Sequence, residues 1–510
     1  MTSVAARPGA GTFAAQGPWW RDRLILWAIG LTLGLLVVRL FVIGRFGLFF
    51  DEAYYWMWST RLSAGYYDHP PMVAYFIRLG TLLFGDTEYG VRFVGAVSLA
   101  VDVALISALA QTIYGDRRTA AWAAILANLT LLAIVSIISV PDQPMLTFWL
   151  AAMVALARVA QGRSPLWWLV AGAMFGLSAA SKYTAFFLLA GVPLWLLVVP
   201  GLRRWFVRPW PYLALLVGVA VFSPVLVWNS DNGWASFVLQ YSRPAYETAS
   251  FGSLLTYIVL VPLVVTPPIF LLAVIGARRA AQGPSQRAQA LLLAIPVPLA
   301  VFFAYHSLGE EIGFHWLSPF AAIGPVLAAS VLTSESTRAI RWLRNASVGV
   351  GFVLTGAVYF LLVQNLFAVP PRYDYTARFR GWPEFVANVE ALRISVGADY
   401  VVGTEYFMRG YFDFYLDDPP PAFHLGEWNR WTGFPAADPA LAGSRALFIG
   451  MSSQRVERAS AERFFTEVEY LGSVARPIGG GLAVGSRAFV VSGPRPGTMA
   501  LFSNWQAPLP

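Results

Sequence analysis

The stretch PMVAYFIRLGTLLFG at positions 71–85 decides how this chain is threaded. It is apolar, but shorter than the roughly 20 residues a helix needs to cross hydrocarbon, and Arg78 lies inside it. Taken as a span, it reverses the orientation of everything after it. Taken as an interfacial or re-entrant helix, it lets the charges sort by side. Around it, runs of spanning length predict about eleven transmembrane helices, near residues 24–44, 93–113, 119–138, 144–160, 166–180, 183–200, 212–228, 254–277, 289–305, 316–333 and 346–368. With the N-terminus inside, the cytoplasmic connections carry Arg117, Arg118, Arg158, Arg163, Arg203, Arg204, Arg208, Arg278, Arg279, Arg287, Arg338, Arg341 and Arg344. The short outer connections carry only Lys182 and Arg243. That asymmetry is what the positive-inside rule requires.

Composition agrees with a membrane protein. Of 510 residues 57% are hydrophobic and 13% charged, and the 20 Trp and 21 Tyr suit interfacial belts. The net charge of +8 is spread over loops rather than gathered in one stripe, which argues against nucleic acid. Without cysteine there is no disulfide framework, thiol nucleophile or thiolate metal site. Residues 1–23 read as a cytoplasmic tail, and the run from Leu24 to Gly44 as a retained anchor rather than a cleaved signal. The expected class is a polytopic α-helical membrane protein, with a transmembrane domain at 24–368. Its first outer loop, 45–92, holds interfacial helices. An extracytoplasmic α/β domain follows at 369–510, with a helix around Trp382–Arg393 and strands at Tyr400–Gly403, Ala446–Gly450 and Ala488–Ser492.

The chemistry-bearing residues gather on the outer side. The first loop reads Phe49-Phe50-Asp51-Glu52-Ala53-Tyr54-Tyr55-Trp56-Met57-Trp58, then Gly65-Tyr66-Tyr67-Asp68-His69-Pro70-Pro71. Paired carboxylates just past a span suit a polar cavity better than lipid. The aromatic run behind them predicts an interfacial helix with Tyr54, Trp58 and Leu62 on one face; the plain alternative is only a belt helix with solvated acids at its start. Asp142 lies in a short turn, Val140-Pro141-Asp142-Gln143-Pro144, where an N-cap would explain it equally well. Lys182, in Ser181-Lys182-Tyr183, is the only lysine in the chain. It reads either as a snorkelling anchor or as a point charge for a phosphate. Further outer candidates are Asn229–Trp234 with Arg243, and Glu310, Glu311, His315 and Trp316. No Gly-rich phosphate loop, dinucleotide fingerprint, HExxH or nucleotide-sugar DxD pair is present. An enzyme on that face has no nucleotide supply and must draw its activated group from a lipid.

The ordered set Asp51-Glu52-Ala53-Tyr54-Tyr55-Trp56, Tyr67-Asp68-His69-Pro70-Pro71, Pro141-Asp142-Gln143-Pro144, Ser181-Lys182-Tyr183, Pro224–Trp234 and His315-Trp316 with Pro319 resembles the membrane-embedded C-type-fold (GT-C) glycosyltransferases. The resemblance is to the branch of protein O-mannosyltransferases and lipid A aminoarabinose transferases, and within it to bacterial lipopolysaccharide-core galacturonosyltransferases. It implies a polyprenyl-phosphate sugar donor, a catalytic base at the leading Asp of the first-loop pair, and a second acid after the third span. The aminoarabinose pattern has basic residues where this chain has Tyr54 and His69, so its phosphate contacts do not carry over.

These readings assign Asp51 as general base, with Glu52 or Asp142 orienting the acceptor. Lys182, Arg243 and His69 are assigned to the donor phosphate, and Tyr54, Tyr55, Asp68, Glu311 and His315 to substrate binding. The chemistry requires no cofactor; a divalent ion beside the phosphate is compatible with it. The expected partners are the lipid-linked sugar, an envelope glycan, glycolipid or protein acceptor, and the bilayer. Two other classes compete: a flippase for a lipid-linked glycan, which would place ionisable groups at mid-membrane, and a non-catalytic partner in an envelope-glycan complex.

Overall fold

The computed structural model describes residues 18–242, 251–282, 286–364, 374–434 and 437–499. Arg243 and the expected domain boundary at 368–369 lie outside them. The first half of the helical region runs α1 (Arg23–Val42), α2 (Phe50–Thr60), α3 (Met72–Phe84), α4 (Glu88–Tyr114), α5 (Arg117–Asn128), α6 (Leu131–Val135), α7 (Asp142–Ala160) and α8 (Trp167–Ala179). The second half runs α9 (Phe187–Val198), α10 (Trp210–Asp231), α11 (Ala235–Ser242), α12 (Phe251–Val265), α13 (Pro267–Gln282), α14 (Gln286–Ala294), α15 (Val297–His306), α16 (Ser318–Ser334) and α17 (Arg338–Val363).

Each run expected to span contains helix, but fewer meet the length requirement. Among the described residues, seven stretches are long and apolar enough to cross: Arg23–Val42, Glu88–Tyr114, Asp142–Ala160, Trp210–Asp231, Arg287–His306, Phe314–Ser334 and Arg338–Val363. The α12–α13 pair makes an eighth if counted as one span, bent by 95°. The run at 119–138 breaks between α5 and α6, where Thr130 accepts from the Ala133 amide (3.2 Å) and restarts the helix. Residues 166–200 fold into two shorter apolar helices, Trp167–Ala179 and Tyr183–Val198. Hydropathy cannot detect such breaks, because the backbone groups they free are satisfied by neighbouring side chains. Thr266 shows how. It sits at the α12–α13 bend with φ of 77°, accepts from the Leu131 amide (2.9 Å) and donates to the Leu129 carbonyl (3.2 Å), so one hydroxyl stitches both breaks together.

The stretch at 71–85 forms α3, 13 residues long and short of a span. It ends at Gly85, whose φ of 74° stops the helix, and its Leu79, Leu82 and Leu83 are exposed. The returning α4 packs so closely that a Cβ on Gly80 would lie 2.1 Å from the Gly90 carbonyl. The two ends of the bundle differ. Asp22 at the start of α1 pairs with Arg118 (3.9 Å), and Arg279 near the end of α13 pairs with Glu335 (2.5 Å). Thr119 of α5 bonds Thr333 of α16 (2.8 Å), joining those contacts at one end of the bundle. The N-termini of α7 and α16 lie at the other end, with the candidate residues.

The C-terminal part runs α18 (Trp382–Ser395), β1 (Tyr400–Gly403), α19 (Met408–Tyr415), β2 (Ala422–His424), β3 (Ala446–Gly450), α20 (Gln454–Phe464), β4 (Phe465–Gly479) and β5 (Leu482–Pro494). Its sheet has the order β2-β1-β3-β5-β4. β1 is parallel to β2 and β3, whereas β5 is antiparallel to β3 and β4. The helix and three strands expected from the sequence are present; β2, β4, α19 and α20 were not anticipated. This domain does not hang free. One hydrophobic core contains Ala53, Tyr54, Trp58 and Ile77 of the first loop together with Trp382, Met408, Tyr411 and Phe412. The Tyr411 hydroxyl donates to the Leu48 carbonyl (3.1 Å), and the Leu48 amide donates to the Tyr415 hydroxyl (2.9 Å).

Candidate active site

The first loop supplies the frame. α2 is buried from Glu52 to Ser59 and is no belt helix. Leu62 lies beyond its end and is exposed, so it does not share the Tyr54–Trp58 face as expected. Glu52 anchors the helix. Its carboxylate receives Arg92 Nε (2.8 Å) and Nη2 (2.6 Å), the Phe49 amide (2.9 Å) and the Ser139 amide (2.9 Å). Arg92 also donates to the carbonyls of Ile43, Phe46 and Gly47 (2.7–2.8 Å), and both side chains are fully buried. A carboxylate with four donors has no lone pair left for a substrate. Glu52 also lies outside the cavity lining, so the geometry makes it structural rather than an acceptor-orienting acid.

Its neighbour Asp51 turns the other way, into a cavity of about 340 Å³. Asp51, Tyr54, Tyr55, Asp68 and His69 of the first loop line it, together with Asp142, Lys182, Thr184, Gln240, His306, His315 and Trp316 of the bundle. Tyr406 and Arg430 come from the C-terminal domain. Burial raises the Asp51 pKa to about 6, reinforced by the charge of Asp68; the Tyr406 hydrogen bond, Arg430 and Lys182 pull the other way. The proton affinity of Asp51 therefore lies close to neutral pH, where it is mostly ionised. Burial, with nearby carboxylates, also holds the hydroxyls of Tyr54, Tyr55 and Tyr406 well above the ordinary phenol range, so they remain donors.

Lys182 Nζ lies 2.8 Å from each carboxylate oxygen of Asp142 and 5.4 Å from the centre of the Trp316 ring. His315 Nε2 stands 3.8 Å from the same carboxylate. The lysine expected as a point charge and the acid expected beside the acceptor thus form one buried pair. Asp68 accepts from the Tyr54 hydroxyl (2.8 Å) and from Arg430, which also bonds Glu427 (2.6 Å). Gln240 donates to the Asp68 carbonyl (2.8 Å).

Among the expected residues, Asp51, Tyr54, Tyr55, Asp68, His69, Asp142, Lys182 and His315 therefore converge. Glu311 does not: it is exposed and outside the lining, in the loop before α16. Asn229–Trp234 likewise stays at the end of α10. Arg92, Tyr406, Arg430, Gln240 and His306 were missed. Arg92 had a signal, a basic residue at the outer mouth of an apolar run, where the positive-inside rule disfavours one. Tyr406 and Arg430 had none, lying more than 300 positions from their partners. Among the described residues no group of three or more His, Asp or Glu side chains is arranged to hold a metal ion.

Residues 68–228 match the dolichyl-phosphate-mannose-protein mannosyltransferase family. That segment includes Asp68, Asp142 and Lys182. The chain is 27% identical over 395 residues to the lipid A galacturonosyltransferase RgtD of Rhizobium johnstonii, covering 74% of this chain and 79% of that protein. These matches make the chain similar to the PMT/ArnT branch of GT-C membrane glycosyltransferases. An undecaprenyl phosphate-α-4-amino-4-deoxy-L-arabinose arabinosyl transferase of Pseudomonas fluorescens is 27% identical over 229 residues, 39% of each chain. Two solved structures share the fold. ArnT from Cupriavidus metallidurans bound to undecaprenyl phosphate superposes with a TM-score of 0.64 at 14% identity, over 91% of this chain and 98% of that one. The archaeal oligosaccharyltransferase AglB from Archaeoglobus fulgidus does so with 0.52 at 13% identity, over 96% and 76%. This chain is a multi-pass membrane protein, and these similarities class it as a glycosyltransferase.

Proposed function

We propose that this glycosyltransferase moves a single sugar from an undecaprenyl-phosphate-type carrier to a lipid A-type glycolipid on the extracytoplasmic side of the bacterial inner membrane. The names of its relatives, RgtD and the arabinosyl transferases, support the donor and acceptor classes. The observation that carries the reading is the convergence of Asp51, the Asp142–Lys182 pair and Asp68 on one buried cavity. Acids and cations at one end of the bundle suit an enzyme better than a flippase, whose sites lie at mid-membrane. The arginine-rich connections at the opposite end support an extracytoplasmic cavity.

In this reading the acceptor hydroxyl attacks C1 of the donor sugar and its proton passes to Asp51. The C1–O bond to phosphate breaks, and its electron pair leaves on the phosphate oxygen. A single displacement inverts the anomeric centre. The negative charge gathered on the leaving phosphate meets Lys182, with His69 and His315 near it, where exclusion of water strengthens each contact. Lys182 is already paired, so phosphate binding shares the cation between Asp142 and the ligand. The reaction requires no cofactor.

The test uses the purified full-length protein with lipid A and radiolabelled undecaprenyl-phosphate-linked galacturonic acid or aminoarabinose. Transfer of either to lipid A, lost in Asp51→Asn, supports the reading; no transfer of either sugar rejects it. Reporters fused after Arg344 and after Asp374 test the orientation, with cytoplasmic and extracytoplasmic signals expected respectively.

A further inference from the structure

The C-terminal domain presents the loops that follow its parallel strands to the cavity, the edge where open α/β sheets commonly bind ligands. The loop after β1 carries Tyr406 and the loop after β2 carries Arg430. Tyr406 donates its hydroxyl to Asp51 Oδ1 at 2.5 Å. Arg430 pairs with Asp68 and Glu427, and its guanidinium lies 4.6 Å from the centre of the Tyr406 ring. Tyr406 also packs edge-on against Tyr54, whose hydroxyl bonds Asp68. The two residues therefore close a ring of contacts, Asp51–Tyr406–Arg430–Asp68–Tyr54, that begins and ends on the first loop. The seat beneath it is tight, since a Cβ on Gly410 of α19 would lie 2.5 Å from the Ala53 carbonyl of α2.

We propose that Tyr406 and Arg430 are positioning residues of the transfer reaction, so that the C-terminal domain is part of the active site and not a separate docking module. The inference rests on the reading of Asp51 as the base. Tyr406 holds the carboxylate in one orientation with one oxygen occupied and the other free for the acceptor proton. Arg430 braces Tyr406 and offsets the charge of Asp68, which acts on Asp51. The groups that face Asp51 are Tyr406 and Arg430 from the domain, Asp68 from the first loop and Lys182 from the bundle. Tyr55, Tyr375 and Tyr411 also feel its charge.

The experiment measures kcat/KM against pH for the full-length protein, with whichever of the two lipid-linked sugars the wild type transfers. Tyr406→Phe removes a donor that favours the ionised carboxylate, so the acid limb should move up by about one pH unit or more. Arg430→Met should move it the same way and lower the plateau about tenfold or more, and Arg430→Lys should recover part of both. If Tyr406→Phe fails to fold, the Arg430 pair decides alone. An acid limb and plateau at wild-type values in the folded variants would overturn the proposal while leaving the transfer reading intact. A wild type that transfers neither sugar removes the reading and this inference together.

Discussion

Lys182 Nζ sits midway between the two carboxylate oxygens of Asp142, 2.8 Å from each, and both side chains are at least nine-tenths buried. The chain's only lysine is therefore committed to an acid 40 positions earlier, at the start of α7. Removing one partner strands the other as a buried charge, which costs roughly 3–5 kcal/mol in comparable pairs. Lys182→Met should lower thermal stability in detergent as well as turnover. The double variant Lys182→Met with Asp142→Asn should regain stability but not transfer. A double variant with wild-type turnover would show that the pair is only structural.

Asp51→Asn keeps size and hydrogen bonding but removes the base. Transfer should fall roughly 100- to 10,000-fold while the fold and donor binding persist. Because Asp51 acts ionised and its pKa is about 6, wild-type kcat/KM should be full above that pH and fall as pH drops through it. A flat profile from mildly acid to neutral pH would argue against Asp51 as the base.

Glu52→Gln and Arg92→Met should fail differently from Asp51→Asn. Each leaves its fully buried partner with an uncompensated charge, so the expected loss is about 3–5 kcal/mol of stability. Melting curves in detergent separate the two kinds of defect. A stable Glu52→Gln protein that binds donor yet cannot transfer would return Glu52 to the chemistry.

Gly410→Ala tests the seat of the C-terminal domain. Alanine favours a helix over glycine, but here its methyl meets the Ala53 carbonyl carbon and oxygen at 2.5–2.7 Å, backbone atoms that cannot swing away. Transfer should fall severalfold, with easier proteolysis between the domain and the bundle while the bundle stays folded. Wild-type activity and protease resistance would show that the seat has slack.

The sequence by itself determined the membrane class, the short helix at 71–85 and the gathering of the candidate chemistry at one end of the bundle. Apolar run length and arginine placement are local properties, set by the cost of putting charge and unpaired backbone into lipid. It also placed Asp51, Asp68, Asp142 and Lys182 among the candidates, because ionisable groups are rare enough in such a chain to be conspicuous one by one. Run length did not show where helices break. That depends on a distant hydroxyl such as Thr266 taking up the freed backbone groups of residues 129–131. Nor did it separate Asp51 from Glu52, adjacent carboxylates whose environments are set by Arg92 on one side and Tyr406 on the other. Only the tertiary structure brings the loops after β1 and β2 over the first loop, because burial of Tyr411, Phe412 and Trp382 against α2 is a long-range packing choice with no local periodicity to announce it.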